Sequence, residues 1–170
     1  MTIDQLSDNV LSYNPHANVD LIKKAYHYAE IGHNGQKRNS GEPYIIHPLH
    51  VAMILSELKM DDATICAGLL HDILEDTEVS YEKMVDDFGE EITVLVDGVT
   101  KLKQIQEKSK FENQVDNYRK MVMAMANDIR VIIIKLADRL HNLRTLDYKE
   151  RNKQIEKARE TLEIYVPIAH

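Results

Sequence analysis

Cysteine is almost absent from this sequence. Cys66 is the only one among 170 residues. That excludes an internal disulfide and fits a reducing compartment. Its neighbours Ile65 and Ala67 mark it as core filler, not a nucleophile. Glycine and proline are also sparse, at 6 and 4, and no repeat, low-complexity tract or linker appears. Long apolar runs are missing: the most strongly apolar, Val131 to Ile134, falls far short of the roughly 20 residues that span a bilayer. The first residues carry no basic-then-apolar leader, so no secretory signal is expected, and the expected compartment is the cytoplasm. Positive charge is in deficit as well. Lys and Arg total 21 against 28 Asp and Glu, a formal net charge of −7. This argues against a general nucleic-acid binder and leaves room only for local basic patches.

What is present suffices for one domain with a genuine core: 44% of the residues are hydrophobic. Residues 1–18 read as a short helix or arm, and 19–170 as the domain proper. Apolar residues then recur at helical spacing. One helix is expected from Asp20 to about Gly32. Another begins at His47-Pro48, where proline in a first turn costs no hydrogen bond, and runs to Leu58. Asp61 or Asp62 caps a central helix. Ser80 caps a short helix closed by Gly89, although Lys83 stands where a capping-box acid would be. Glu90 to Leu102 gives the next helix. Lys103 to Glu112 is polar and reads as a mobile flap or frayed helix. Val115 to Ala126 reads as helical, with Met121, Met123 and Met125 as core filler. Val131 to Ile134 is β-branched, but Leu136, Ala137, Leu140 and Leu143 continue a helical stripe from it. A last helix, Asn152 to Tyr165, is expected to stop near Pro167. The fold class is all-α, a helical bundle.

The chemistry gathers in Ala67 to Thr77, read as one helix. It starts apolar and then carries His71, Asp72, Glu75 and Asp76. Residues four apart share a helix face, so His71 is expected beside Glu75, and Asp72 beside Asp76. Such a cluster is either a solvated helix end or a site that needs a cation. The apolar approach through Leu69, Leu70, Ile73 and Leu74 favours the site. His47 follows an apolar entry, and Asp138 sits inside another apolar stripe. Asn142 and Thr145 lie four and seven positions on, on the face of Asp138. Arg139, being adjacent, points away, which leaves a metal or another helix as that carboxylate's partner. Two imidazoles and two carboxylates without thiolate suit a hard or borderline divalent ion such as Mn²⁺ better than structural zinc. His50 and His141 are read as structural.

These residues resemble the HD-domain metallophosphohydrolases. More closely, they resemble the hydrolase domain of the RelA/SpoT-homologue alarmone enzymes. The matching stretches are Ser40 to Pro48, His71 to Thr77, Gly98 to Leu102 and Lys135 to Leu146. The resemblance implies a Mn²⁺-dependent hydrolase of the stringent response that removes the 3′-pyrophosphate of guanosine tetra- and pentaphosphate. It implies His47, His71, Asp72 and Asp138 as metal ligands and Glu75 and Asp76 as the catalytic pair. It implies Arg38 stacked on guanine, with Ser40, Asn142 and Thr145 contacting the nucleotide. One departure is Asn39, where the family often has a basic residue. Lys37, Arg38 and Arg144 are expected to attract the anionic substrate to an acidic protein. The last residues, Tyr165 to His170, resemble the approach to a synthetase domain, so the chain reads as a piece of a longer protein or a minimal hydrolase. Three rivals remain open at this point: an HD-type phosphatase of ordinary nucleotides, a nucleotide sensor with a structural metal, and a helical partner-binding domain.

Overall fold

The computed structural model describes residues 1–108 and 128–169. Among them the architecture is helical, and the lone β-bridge joins Lys37 to Pro43. The helices are α1 (Ile3–Tyr13), α2 (Val19–Gly32), α3 (Ile46–Glu57), α4 (Asp62–Leu70), α5 (Ile73–Asp76), α6 (Tyr81–Phe88), α7 (Glu90–Lys108), α8 (Ile129–Arg144), α9 (Arg151–Glu160) and α10 (Val166–Ala169). No helix of the described residues is long and apolar enough to cross a membrane.

The core is built round α4. Every residue from Thr64 to Leu70 is buried, which is the mark of a helix apolar on all sides. It packs against α2, α3, α7 and α8. Gly68 makes the approach to α3 possible, since a Cβ there would stand 2.5 Å from Leu55 Cδ1 and 3.6 Å from the Ala52 Cα. At the N-terminus of α4, Asp61 accepts from the Thr64 backbone N–H and its hydroxyl. Helix α1 packs on α2 and α3 and sends Leu6 and Val10 fully into the core.

Val131 to Ile134 is helical, as the stripe beyond it requires. Three expectations are corrected. The helix from Ala67 to Thr77 is broken: α4 ends at Leu70, and α5 starts at Ile73. The Gly68 carbonyl, which an unbroken helix would give to the Asp72 N–H, accepts instead from His71 Nδ1 at 2.8 Å. Such side-chain competition ends helices. Next, α7 continues through the start of the expected flap to Lys108. The rest of that flap, and Val115 to Ala126 with its methionines, lie outside the described residues. Finally, Pro167 does not stop the last helix. Residues Thr161–Tyr165 form a π-turn, with the Val166 N–H bonded to the Thr161 carbonyl. That wider turn lets the proline ring enter the first turn of α10.

Candidate metal centre

Three separate elements deliver four buried groups to one point. His47 comes from the first turn of α3, His71 and Asp72 from the break between α4 and α5, and Asp138 from the middle of α8. His47 Nε2 is 3.2 Å from Asp138 Oδ1 and 3.9 Å from Asp72 Oδ2. His71 Nε2 is 3.0 Å from Asp72 Oδ2 and 3.9 Å from Asp138 Oδ1. His47, His71 and Asp138 each offer a ligand atom within 4.8 Å of the others. The break in the helix matters here, because it puts the consecutive His71 and Asp72 on the same side.

The four groups shift one another's proton affinities. Burial pushes His47 below the usual imidazole range. Burial works in the same direction on His71, but Asp72 and then Asp138 outweigh it and raise that imidazole to about 9. Both carboxylates are held low against burial, Asp72 chiefly by His71 and Asp138 chiefly by the Lys135 ammonium. His71 Nε2 is buried and, although Asp72 Oδ2 is 3.0 Å away, makes no hydrogen bond of good geometry, while its Nδ1 is tied to Gly68. An imidazole nitrogen aimed between two carboxylates, with its own ring orientation locked, fits a divalent ion.

The surroundings fix these side chains. Lys135 Nζ lies 2.9 Å from Asp138 Oδ2, and Asn142 Nδ2 donates to Asp138 Oδ1 at 2.6 Å. Arg139 does point elsewhere, to Glu160 at 2.7 Å and over the Tyr165 ring. Arg38 Nη2 donates to Asn142 Oδ1 at 2.8 Å and to Thr145 Oγ1 at 3.3 Å. A tight hairpin presents Arg38: its N–H bonds the Glu42 carbonyl, its carbonyl accepts from Gly41, and Gly41 takes a φ of 86° that favours glycine. In the same hairpin the Ser40 hydroxyl donates to Glu42 at 3.1 Å.

Glu75 and Asp76 occupy α5, one turn beyond the ligands. Lys103 from α7 lies 2.9 Å from Glu75 Oε2 and 3.8 Å from Asp72 Oδ1. The Tyr44 hydroxyl donates to Asp72 Oδ2 at 2.6 Å and lies 3.4 Å from Asp76 Oδ2. Burial, and then Asp72, raise the Tyr44 phenol, so the hydroxyl stays a donor. Asp72 and Asp76 are thus joined through tyrosine. The pairing of His71 with Glu75 expected from an unbroken helix gives way to one between Lys103 and Glu75.

His47, Asp72 and Asp138 form part of the wall of a cavity of about 390 Å³, and His71 lies behind them. Arg38, Ser40, Asn142 and Thr145 all line it. So do the cations Lys37, Lys103, Lys135, Arg139, Lys149 and Lys157. A basic pocket therefore sits in an acidic protein. Arg144 is not among the lining residues, and Lys103, Lys149 and Lys157 stand where it was expected to act. Burial and the nearby Arg38 push the Lys149 ammonium below the usual lysine range, a strain that an anion would relieve.

Sequence reasoning gave Lys135, Tyr44 and Lys103 no part in the site and read His141 as structural. Lys135 and His141 are each three positions from Asp138 on α8, so helical spacing carried a signal for them; Tyr44 lies in the turn before α3 and had none. Lys103 offered none, because its partner lies on a distant element.

Comparison with known proteins agrees with this geometry. A family profile described as an HD domain matches residues 25–170. The chain is 54% identical over 164 residues to a GTP pyrophosphokinase of Myxococcus xanthus, covering 95% of this chain and 22% of that protein. It is 49% identical over 167 residues to the bifunctional (p)ppGpp synthase/hydrolase SpoT of Escherichia coli K12, covering 98% of this chain and 24% of that protein. The chain thus spans about a quarter of the length of the curated relatives it matches. A solved structure described as "A metazoan ortholog of SpoT hydrolyzes ppGpp and plays a role in starvation responses" superposes with a TM-score of 0.67 at 28% identity, over 85% of this chain and 83% of that one.

Proposed function

The chain belongs to the HD-domain family, and from that premise we propose that it is a Mn²⁺-dependent 3′-pyrophosphohydrolase of guanosine tetra- and pentaphosphate. The observation that carries this reading is the meeting of His47, His71, Asp72 and Asp138 at one point, with His47, Asp72 and Asp138 in the wall of a cation-lined cavity and Lys103 linking that wall to Glu75. The relatives named for (p)ppGpp hydrolysis support the choice of substrate.

His47, His71, Asp72 and Asp138 would hold the metal, and their nitrogen and oxygen donors suit Mn²⁺. When bound, a divalent ion there supplies Lewis acidity and neutralises phosphate charge. Glu75 and Asp76 act as the pair that orients the attacking water and takes its proton. Water adds across the bond between the 3′ oxygen and phosphorus. The nucleotide keeps the oxygen as a 3′ hydroxyl, leaving GDP or GTP, and pyrophosphate departs. Arg38 is held at its edge by Asn142 and Thr145, and it is the face of a guanidinium that stacks on a purine. Ser40, Asn142 and Thr145 contact the nucleotide, and the lysines receive its phosphates. In the cell we place the protein in the cytoplasm, without nucleic-acid or membrane partners. Residues 19–170 make up the hydrolase domain of a longer chain that also carries a synthetase domain.

The test is an anion-exchange assay of guanosine tetraphosphate with Mn²⁺, Mg²⁺, Zn²⁺ or chelator. Release of GDP and pyrophosphate, greatest with Mn²⁺ and abolished by chelator, is expected. Preference for a nucleoside monophosphate would overturn the assignment.

A further inference from the structure

His47 does not stand alone behind the metal site. Its Nδ1 lies 2.7 Å from Nδ1 of His141, and both rings are buried. The two rings tilt by 38° at 4.9 Å between centroids. On the other side of His141 the His50 ring stacks at 4.7 Å and 21°. His141 is therefore held between two rings, with one nitrogen aimed at one nitrogen.

Two ring nitrogens this close share one proton. With none, two lone pairs face each other; with two, a pair of N–H groups collides. The question is which ring carries it. His47 Nε2 faces Asp138 and Asp72. For Nε2 to ligate a cation it must present a lone pair, so a neutral His47 keeps its proton on Nδ1. His141 Nδ1 must then be the bare acceptor, with its own proton on Nε2. His71, the other imidazole of the cluster, uses a backbone carbonyl for the same purpose.

We infer that His141 is a positioning residue for the metal site, accepting the Nδ1–H of His47 so that Nε2 of His47 faces the cation as a lone pair. The inference rests on the metal reading of the cluster and not on the identity of the substrate. It assigns His141 a role through His47 alone.

The experiment uses this chain without nucleotide. Long-range proton–nitrogen spectra of the ¹⁵N-histidine-labelled protein, loaded with diamagnetic Zn²⁺, read both tautomers directly. His47 protonated at Nδ1 and His141 protonated at Nε2 are expected; His141 protonated at Nδ1 overturns the inference. Calorimetric titration of Mn²⁺ gives a second readout. A His141→Leu variant that keeps the wild-type circular dichroism spectrum is expected to bind Mn²⁺ about 10–100-fold more weakly. His141→Asn has an amide oxygen that takes the place of Nδ1, and it is expected to recover part of the loss. Unchanged affinity in the leucine variant also overturns the inference. Failure of guanosine tetraphosphate turnover touches neither result, so the two readings fail separately.

Discussion

Lys103 and Glu75 form an ion pair at 2.9 Å across two helices, and the same ammonium stands 3.8 Å from Asp72. One lysine therefore faces both a proposed catalytic acid and a proposed metal ligand. Burial works to lower this lysine, but Asp72 and Glu75 outweigh it, and it stays charged. Lys103→Met is expected to lower kcat/KM for guanosine tetraphosphate by roughly tenfold, about 1.4 kcal/mol of transition-state stabilisation. Steady-state kinetics at two salt concentrations check this. A variant with wild-type kinetics would show that the pair is only structural.

Tyr44 ties the two halves of the site together. Tyr44→Phe removes the hydroxyl shared by Asp72 and Asp76 and keeps the ring contacts with His33 and His47. We expect kcat to fall by about 10-fold or more, with a melting temperature close to that of the wild type. Equal losses in stability and turnover would contradict a role in the site.

Asp138 has two duties. Besides facing the metal position, it neutralises Lys135, whose side chain is only 8% exposed. Asp138→Ala should abolish stoichiometric Mn²⁺ binding. It should also destabilise the metal-free protein by about 3–5 kcal/mol, because an ammonium is left buried without its partner. Urea unfolding in chelator measures the second effect. Asp138→Ala together with Lys135→Met is expected to regain much of that stability without regaining metal.

Gly68 is a packing position close to the site. Gly68→Ala puts a Cβ 2.5 Å from Leu55 Cδ1. Leu55 is fully buried and has little space to yield. A loss of about 1–3 kcal/mol is expected, seen as a melting temperature lower by several degrees.

Helices α4, which leads into His71 and Asp72, and α8, which carries Asp138, are joined at their N-termini by Arg130. It contacts Asp61 at 2.9 Å, Glu91 at 2.8 Å and Asp128 at 2.8 Å. Its hydrogen bonds hold the Asp128 carboxyl below the usual range. Burial acts to raise Asp61, but the Thr64 hydrogen bonds and Arg130 leave it lowered as well. A carboxyl depressed by folding stabilises the native state above its unfolded pKa, about 3.9, and loses that contribution as pH falls through the folded value. The stability difference between wild type and Arg130→Met should therefore be constant from pH 7 to about pH 5 and shrink below about pH 4. Urea unfolding across this range checks it; a difference that grows in acid contradicts the assignment.

Much of this protein was determined by sequence alone. Apolar spacing identified the helices, including Val131 to Ile134, because a stripe of buried residues dictates a helical period whatever surrounds it. Side-chain types and family resemblance singled out His47, His71, Asp72 and Asp138 as candidate donors. Only the tertiary structure decided how they meet. At the break after Leu70 one imidazole takes one backbone carbonyl, a local contact that helical periodicity does not encode. Lys103 beside Glu75, Tyr44 between Asp72 and Asp76, and His141 behind His47 depend on which helices lie side by side. That was settled by burying α4 on every side, since a helix with no polar face must be enclosed, and its neighbours then carry their side chains to its end.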